Sequence, residues 1–497
     1  MEYQITKQHI KKKYHAFERI QMIVDRGSFT EIGSGIANYS TSAHENNEVA
    51  EYDGVITGKG KIRGKNIFIF AQDFTVMGGT IGLRHGEKIA RTIELAIASQ
   101  CPVIGIYDSG GARIGEGVNA LAGCGKMMHC NTVASGYIPQ ISIIAGPCAG
   151  AAAYSPALTD FVFMIDQVSC MFVTGSDVVK SVTGEPCTNQ ELGCAEVHNT
   201  LSGVAQKQFS TEKDCFRFLR DFVETLPSAC NIKPATKYHT YVEKDIAPQE
   251  NLIPEENHRA YDMKPVLRDI LDEGSFLEVG DLFAKSIITG FGKVSGKTIG
   301  LIANQPIVTG GVLDCDSSDK AARFVRFCDS FGIPIVTLVD TPGYLPGKGQ
   351  EHNGILRHGA KLLHAYSEAT VPKITVIIRK AFGGAYIAMG SKHLGADFVY
   401  SLPNAEIAVM GAEGAVNILY KSEVSKIVDI SQRRSMLDQK VSEYKSGYMN
   451  PRMAQKEGYI DELIHYHNLR SRIFEDLIIL EDKNVATLNK KHGNIPL

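Results

Sequence analysis

The chain repeats itself, and that narrows the folds open to it more than any other feature. At a shift of 232 residues, "TGKGKIRGKNIFIFAQDFTVMGG" (57–79) falls on "TGFGKVSGKTIGLIANQPIVTGG" (289–311), with Gly58, Gly60, Gly64, Gly78 and Gly79 meeting Gly290, Gly292, Gly296, Gly310 and Gly311. The same shift carries Lys88 to Lys320, Arg91 to Arg323 and Asp108 to Asp340; at 233, Pro139 meets Pro372 and Gly150 meets Gly383. The heptapeptides "DRGSFTE" (25–31) and "DEGSFLE" (272–278) agree at five of seven positions at a shift of 247. An insertion of about fifteen residues within 32–56 accounts for the difference. Two copies of one domain are expected, over 1–240 and 241–497, joined through the polar, proline-punctuated stretch 233–262.

Within a copy the hydrophobic period alternates. "NIFIFAQDFTV" and "TIGLIANQPIV" predict strands, and "GKGKIRG" and "GFGKVSG" hairpins. Ile89, Ile93, Ala96 and Ile97 line one face of a helix over 86–100, which Ala321, Val325 and Cys328 repeat. "CPVIGIYDSGG", "IPIVTLVDTPG", "PQISIIAG" and "PKITVIIRK" follow as buried strands, so the fold class is layered α/β. The stretch 141–165 carries one charge, Asp160, but its prolines and "GPCAG" turn predict strand, turn and helix instead of a membrane span.

A net charge of -3 argues against a general nucleic-acid binder. Eleven cysteines without a Cys-x-x-Cys pair argue against a zinc ribbon and for reduced thiols in a cytoplasmic protein; no metal is expected. The N-terminus, "MEYQITKQHIKKKYHAF", is basic without an apolar core and does not read as a secretory signal.

Each copy ends two strands in small residues: "DSGGAR" (108–113) and "GPCAGAAAYS" (146–155), then "DTPGY" (340–344) and "RKAFGGAYIAM" (379–389). Small residues admit a ligand close to the backbone, and a following helix turns its free N–H groups toward it, which suits an oxyanion. A single such turn is as well explained by tight helix packing; four at matched positions favour binding. "AGCGKM" lacks the glycine and hydroxyl of a phosphate loop. Ser109 and Ser34 lack a nucleophile elbow. Cys148 reads better as a buried thiol than as a nucleophile, and Glu116 better as a helix cap or salt bridge than as a general acid or base.

"YDSGGARIGEGVNALAG", "IPQISIIAGPCAGAAAYSPALTDFVFMI", "FVTGSDVVKSVTGE", the run from "LVDTPGYLPG" to "GSKHLGAD", and "AEIAVMGAEGAVNI" closely resemble the carboxyltransferase β subunits of biotin-dependent acyl-CoA carboxylases. The propionyl-CoA carboxylase type is nearest, and the α subunit of methylmalonyl-CoA decarboxylase is similar. The resemblance runs from about residue 16 to the terminal "KKHGNIPL". It implies two tandem crotonase-like domains of the ClpP/crotonase superfamily. It also implies transfer of a carboxyl group between N1 of biotin and the α-carbon of a short acyl-CoA, with the biotin ureido oxygen and the thioester oxygen as the two oxyanions.

Carried over by motif, Gly150 and Ala151, helped by the Gly110 and Gly111 turn, would hold the thioester oxygen; Gly384 and Ala385, after Gly383, would hold the biotin oxygen. Ile387 stands where relatives restricted to propionyl-CoA tend to have Asp, and wall packing explains it equally well. Ala151, Gly115, Cys124, Cys194 and Gln206 also depart from the family's usual residues. No "AMKM"-like attachment sequence occurs. The resemblance therefore implies biotin on a separate carrier, a biotin carboxylase partner and a homohexamer, with coenzyme A as part of the substrate. Decarboxylase or transcarboxylase duty, a biotin-independent hydratase or isomerase using Glu116, and a CoA-binding scaffold without turnover stay open alternatives.

Overall fold

The computed structural model describes residues 8–10, 12–39, 52–233 and 240–497. Parts of the basic N-terminal stretch, of the insertion near 32–56 and of the linker lie outside the described residues. The chain divides into two compact units, Met1–Pro234 and Ala235–Leu497.

In the first unit the strands are β1 (Thr30–Glu31), β2 (Val55–Ile62), β3 (Lys65–Gln72), β4 (Val103–Ser109), β5 (Gln140–Ala149), β6 (Phe161–Ile165), β7 (Cys170–Phe172) and β8 (Lys207–Phe209). They form one sheet in the order β1-β2-β3-β4-β5-β6-β8, with β7 beside the end of β5. The pairs β1-β2 and β2-β3 are antiparallel; β3-β4, β4-β5, β5-β6, β5-β7 and β6-β8 are parallel. The second unit repeats this with β9 (Leu277–Val279), β10 (Ile287–Val294), β11 (Lys297–Asn304), β12 (Ile335–Thr341), β13 (Lys373–Phe382), β14 (Phe398–Ser401), β15 (Glu406–Ala408) and β16 (Glu462–Leu463), ordered β9-β10-β11-β12-β13-β14-β16 with β15 beside β13.

Five helices of the first unit matter below: α1 (Ala16–Ile23), α2 (Leu83–Ser99), α3 (Val118–Ala134), α4 (Ala151–Ala157) and α5 (Glu212–Thr225). Their counterparts include α6 (Met263–Ile270), α7 (Cys315–Ser330), α8 (Ile355–Glu368), α9 (Gly383–Ala388) and α10 (Leu469–Ile479). Ile89, Ile93 and Ala96 of α2 are fully buried with Val103, Met127 and Ile144, each large side chain contributing about 1.5–3 kcal/mol. Every residue of β4 and of β12 is buried, as runs covered on both faces require.

The predicted hairpins form. Their turns hold Arg63 and Gly64 at φ 47° and 81°, and Ser295 and Gly296 at 48° and 78°, the paired positive angles of a two-residue hairpin turn. The stretch 141–165, expected as strand, turn and helix, is β5, a turn, α4 and β6. "AGCGKM" lies inside α3, so it is no phosphate loop. One expectation needs adjustment. Described residues of the linker belong to the second unit's body: Ile253 and Tyr261 are buried in its core beside Tyr241, Ile246 and Leu252. Apolar residues scattered among the prolines dock the segment.

Candidate active site

The strand ends assemble as matched pairs of turns. In the first unit β4 runs into Gly110-Gly111 and β5 into Gly150, and the sheet pairs Ser109 with Cys148. A Cβ on Gly111, at φ 105°, would lie 2.9 Å from the Ala149 carbonyl oxygen, so the two turns touch. The loop is pinned by Ile81, which donates to the Gly111 carbonyl at 2.8 Å and accepts the Arg113 N–H at 2.9 Å. In the second unit Leu313 does the same, donating to Gly343 at 3.1 Å and accepting from Leu345 at 2.7 Å.

Backbone donors differ in availability. Gly110 gives its N–H to the Gly78 carbonyl at 3.0 Å, and Gly111 gives its own to Ser109 Oγ at 3.1 Å. Gly150, at φ 60° and ψ -132°, gives its N–H to the Phe172 carbonyl at 3.0 Å. The first bond inside this helical turn is Ala153 N–H to Gly150 O at 3.0 Å, so Ala151 and Ala152 contribute N–H groups without an acceptor in their own helix. Of the residues that the resemblance places around the thioester oxygen, Gly150 and Ala151 with the Gly110-Gly111 turn as helper, the three glycines give their N–H groups to acceptors within the fold, whereas Ala151 has no acceptor in its own helix.

In the second unit Gly383 takes φ 60°, and its N–H and those of Gly384 and Ala385 open α9. Gly384 is exposed and a Cβ there would meet only the Tyr344 ring, at 3.8 Å; Ala385 is buried. Ile387 is 39% exposed one turn further on. This turn offers adjacent N–H donors, an apolar ring and open space, which fits a neutral ring bearing one carbonyl oxygen such as the ureido of biotin.

The side chains considered for catalysis are accounted for. Glu116 is buried; its Oε2 accepts the Leu83 N–H at 2.7 Å, and its Oε1 pairs with Arg113 Nη1 at 2.7 Å. Asp53 completes the cap, taking the His85 N–H at 2.8 Å and Arg113 Nη1 at 2.5 Å. Two acidic groups at the start of α2 satisfy its first donors and complement its dipole. Burial pushes the Cys148 thiol far above the ordinary range, leaving no thiolate for attack. Ser109 is buried, with its Oγ accepting from Gly111. Among the described residues no group of three His, Cys, Asp or Glu could hold a metal ion, and no helix is long and apolar enough to cross a membrane.

Sequence reasoning missed the charged layer beneath the turns. Asp108 and Asp340 are both buried, and each gives its backbone N–H to an equivalent side-chain amide oxygen: Gln72 Oε1 accepts from Asp108 at 3.2 Å, and Asn304 Oδ1 from Asp340 at 3.1 Å. The coincidence of Asp108 with Asp340 at the repeat shift was the available signal.

A duplicated sheet, with a glycine turn running into a short helix in each copy, is the frame on which the comparisons with known proteins fall. The chain matches the carboxyl transferase domain family over residues 7–495 and belongs to it. It is 48% identical to the carboxyltransferase subunit of propionyl-CoA carboxylase from Haloferax mediterranei, over 99% of this chain and 95% of that one. It is 46% identical to the α subunit of methylmalonyl-CoA decarboxylase from Propionigenium modestum, over 99% and 95%. The transcarboxylase 12S hexamer solved with methylmalonyl-coenzyme A superposes with a TM-score of 0.94 at 43% identity, covering 100% of this chain and 94% of that one. The chain is a biotin-dependent carboxyltransferase of the propionyl-CoA carboxylase type, with the crotonase-like fold.

Proposed function

We propose that the chain transfers a carboxyl group between biotin on a separate carrier protein and the α-carbon of a short acyl-CoA of the acetyl or propionyl type, the first unit serving the thioester and the second serving biotin. Biotin, when bound, carries the carboxyl group on a ring nitrogen and bears negative charge on its ureido oxygen once that group has left. The N–H groups of Gly384 and Ala385 hold that oxygen, with Gly383 turning the backbone at φ 60° to present them. The Ala151 N–H holds the thioester oxygen as the α-carbon gains carbanion character, while Gly150, Gly110 and Gly111 shape the wall around it. Losing one such donor costs about 2.7–4 kcal/mol of transition-state stabilisation in other enzymes. No side-chain base is assigned, in keeping with Glu116 being spent on the cap of α2.

The observation that carries this reading is the duplicated turn geometry, with Gly150 just ahead of α4 and Gly383 as the first residue of α9 at the same positive φ. The reading extends to a homohexamer in the cytoplasm working with biotin carboxylase and biotin carrier subunits, like the hexameric transcarboxylase core it resembles. Purified chain, incubated with malonyl-CoA or methylmalonyl-CoA and free biotin or biocytin, should lose the acyl carboxylate only when biotin is present. No biotin-dependent loss, together with hydration of an enoyl-CoA, would support the hydratase reading instead.

A further inference from the structure

Each unit breaks its sheet ladder at the same place. The pairing of β4 with β5 shifts register between Tyr107 and Ser109, and that of β12 with β13 between Val339 and Thr341. The residues at the two breaks are Asp108 and Asp340, each immediately ahead of a glycine turn. With the regular bonds interrupted, something else must hold the strand ends together.

The units do this with a carboxylate and a guanidinium, carried at positions that are not equivalent. In the second unit the cation comes from the neighbouring strand: Arg379 of β13 donates from Nε to Asp340 Oδ2 at 3.1 Å, and the Lys380 N–H reaches Oδ1 at 3.2 Å. Arg379 is fixed in turn by the carbonyls of Glu256 and Arg259, at 3.0 and 2.8 Å, and by the Tyr261 ring at 4.8 Å. Its equivalent in β5, at the shift of 233, is Gly146, where a Cβ would lie 2.0 Å from Asp108 Oδ1.

The first unit fills that space from outside the sheet. Arg19 of α1 donates from Nη1 to Asp108 Oδ2 at 3.0 Å and from Nη2 to the Ala145 carbonyl of β5 at 2.7 Å, and Lys13 Nζ adds a bond to Asp108 Oδ1 at 2.7 Å. Arg19 is held by Glu212 through Nε at 2.7 Å. Its equivalent in α6, at the shift of 247, is the fully buried Val266. The cation has moved from helix to strand while its carboxylate stayed. A buried ion pair adds little stability over a well-packed apolar pair, so its presence in both units at a ladder break speaks for geometry.

We propose that Asp340 with Arg379, and Asp108 with Arg19, are positioning pairs: each ties the strand that ends in the glycine turn to the strand that feeds the donor helix, and so sets the spacing of the oxyanion-binding turns in its own unit. The inference deepens the carboxyltransferase reading and rests on its assignment of those turns. Neither pair touches substrate; both act through the backbone of Thr341–Tyr344 and Gly383–Ala385, or of Ser109–Gly111 and Gly150–Ala151.

The test uses the full-length assembly. Arg379→Gln should lower kcat of biotin-dependent malonyl-CoA decarboxylation by about 100-fold, the effect of misplacing a reacting group by an ångström, while KM for the CoA ester changes less than about twofold. Adding back a cation from the helix side, as Arg379→Gly with Val266→Arg, should recover most of the lost kcat. A neutral hydrogen-bonding pair, Asp340→Asn with Arg379→Gln, avoids stranding a charge and should fold while still turning over slowly. Full kcat in either glutamine variant, with only a lowered Tm, would overturn the proposal, as would loss of assembly in both. A wild-type chain without biotin-dependent turnover would remove the carboxyltransferase reading itself, and this proposal with it.

Discussion

Arg470 places Nη2 2.6 Å from Asp272 Oδ1, and Arg220 repeats the contact in the first unit at 2.8 Å from Asp25. Both aspartates then bind a hairpin turn: Asp272 accepts the N–H groups of Ser295 and Gly296, each at 2.8 Å, and Asp25 those of Arg63 and Gly64 at 3.0 and 2.8 Å. The heptapeptides recur because each clamps the β2-β3 or β10-β11 hairpin to the last long helix of its unit. Arg470 is 2% exposed whereas Arg220 is 28% exposed, so Asp272→Ala strands a buried cation and Asp25→Ala does not. Calorimetry should show a loss of about 3–5 kcal/mol for the first and about 1 kcal/mol for the second.

His85 makes the first unit sensitive to acid. Its ring is fully buried between the Asp53 carbonyl, 2.8 Å from Nδ1, and Gln72 Nε2, 3.1 Å from Nε2, an arrangement that suits the neutral tautomer with Nδ1 protonated. Burial, aided by the Arg113 charge, lowers its pKa to about 3. The folded value is depressed, so the contribution is fully present above the unfolded value near 6.5. It falls by about 1.4 kcal/mol per pH unit toward 3 as the unfolded chain takes up the proton. In wild type, stability measured from pH 7 to 4 should carry this slope; His85→Gln should remove it. An unchanged slope would mean that His85 titrates alike in both states.

Glu116→Gln separates cap from catalyst. The amide oxygen can still accept the Leu83 N–H, so the variant should lose about 1 kcal/mol of stability and keep its carboxyl exchange. A general acid or base would lose about 10²–10⁴-fold in rate. Rate measurements on variant and wild type at one pH decide between them.

Ile387→Asp puts a charge on a 39% exposed position one turn beyond Gly384. The resemblance puts Asp here in relatives restricted to propionyl-CoA; on that role the variant narrows acyl choice, with the longer carboxylated acyl-CoAs losing on the order of tenfold in kcat/KM relative to methylmalonyl-CoA. An unchanged profile across a panel of carboxylated acyl-CoAs would reduce Ile387 to packing.

The sequence was most informative where period and repeat coincide. Ile89, Ile93 and Ala96 on one helical face, the hairpin glycines Gly64 and Gly296, and the strand-to-turn junctions at Gly150 and Gly383 were all legible, because main-chain geometry dictates those residue types. Which N–H groups stay available was not legible: the bond from Gly150 to Phe172 depends on β7, a three-residue strand returning beside β5, and nothing in "CMF" announces it. The charged layer was hidden for another reason. Arg19 and Asp108 lie 89 residues apart, and the unit-two version of the pair uses other positions, so no shift aligns the cations.

The central claim is that main-chain donors in the second unit hold the biotin oxygen, and Gly384→Val tests it most directly. A Cβ there meets only the Tyr344 ring at 3.8 Å within its own unit and φ is not positive, so the variant should fold, unlike one at Gly383, where φ is 60° and a Cβ would lie 3.0 Å from the Val409 carbonyl. Valine keeps the backbone N–H but fills the space beside it, so biotin-dependent decarboxylation of malonyl-CoA should fall by at least about 100-fold, as when a reacting group is displaced by an ångström, while the Kd for the CoA ester stays at its wild-type value. Intact carboxyl exchange alongside weakened CoA binding would contradict the account.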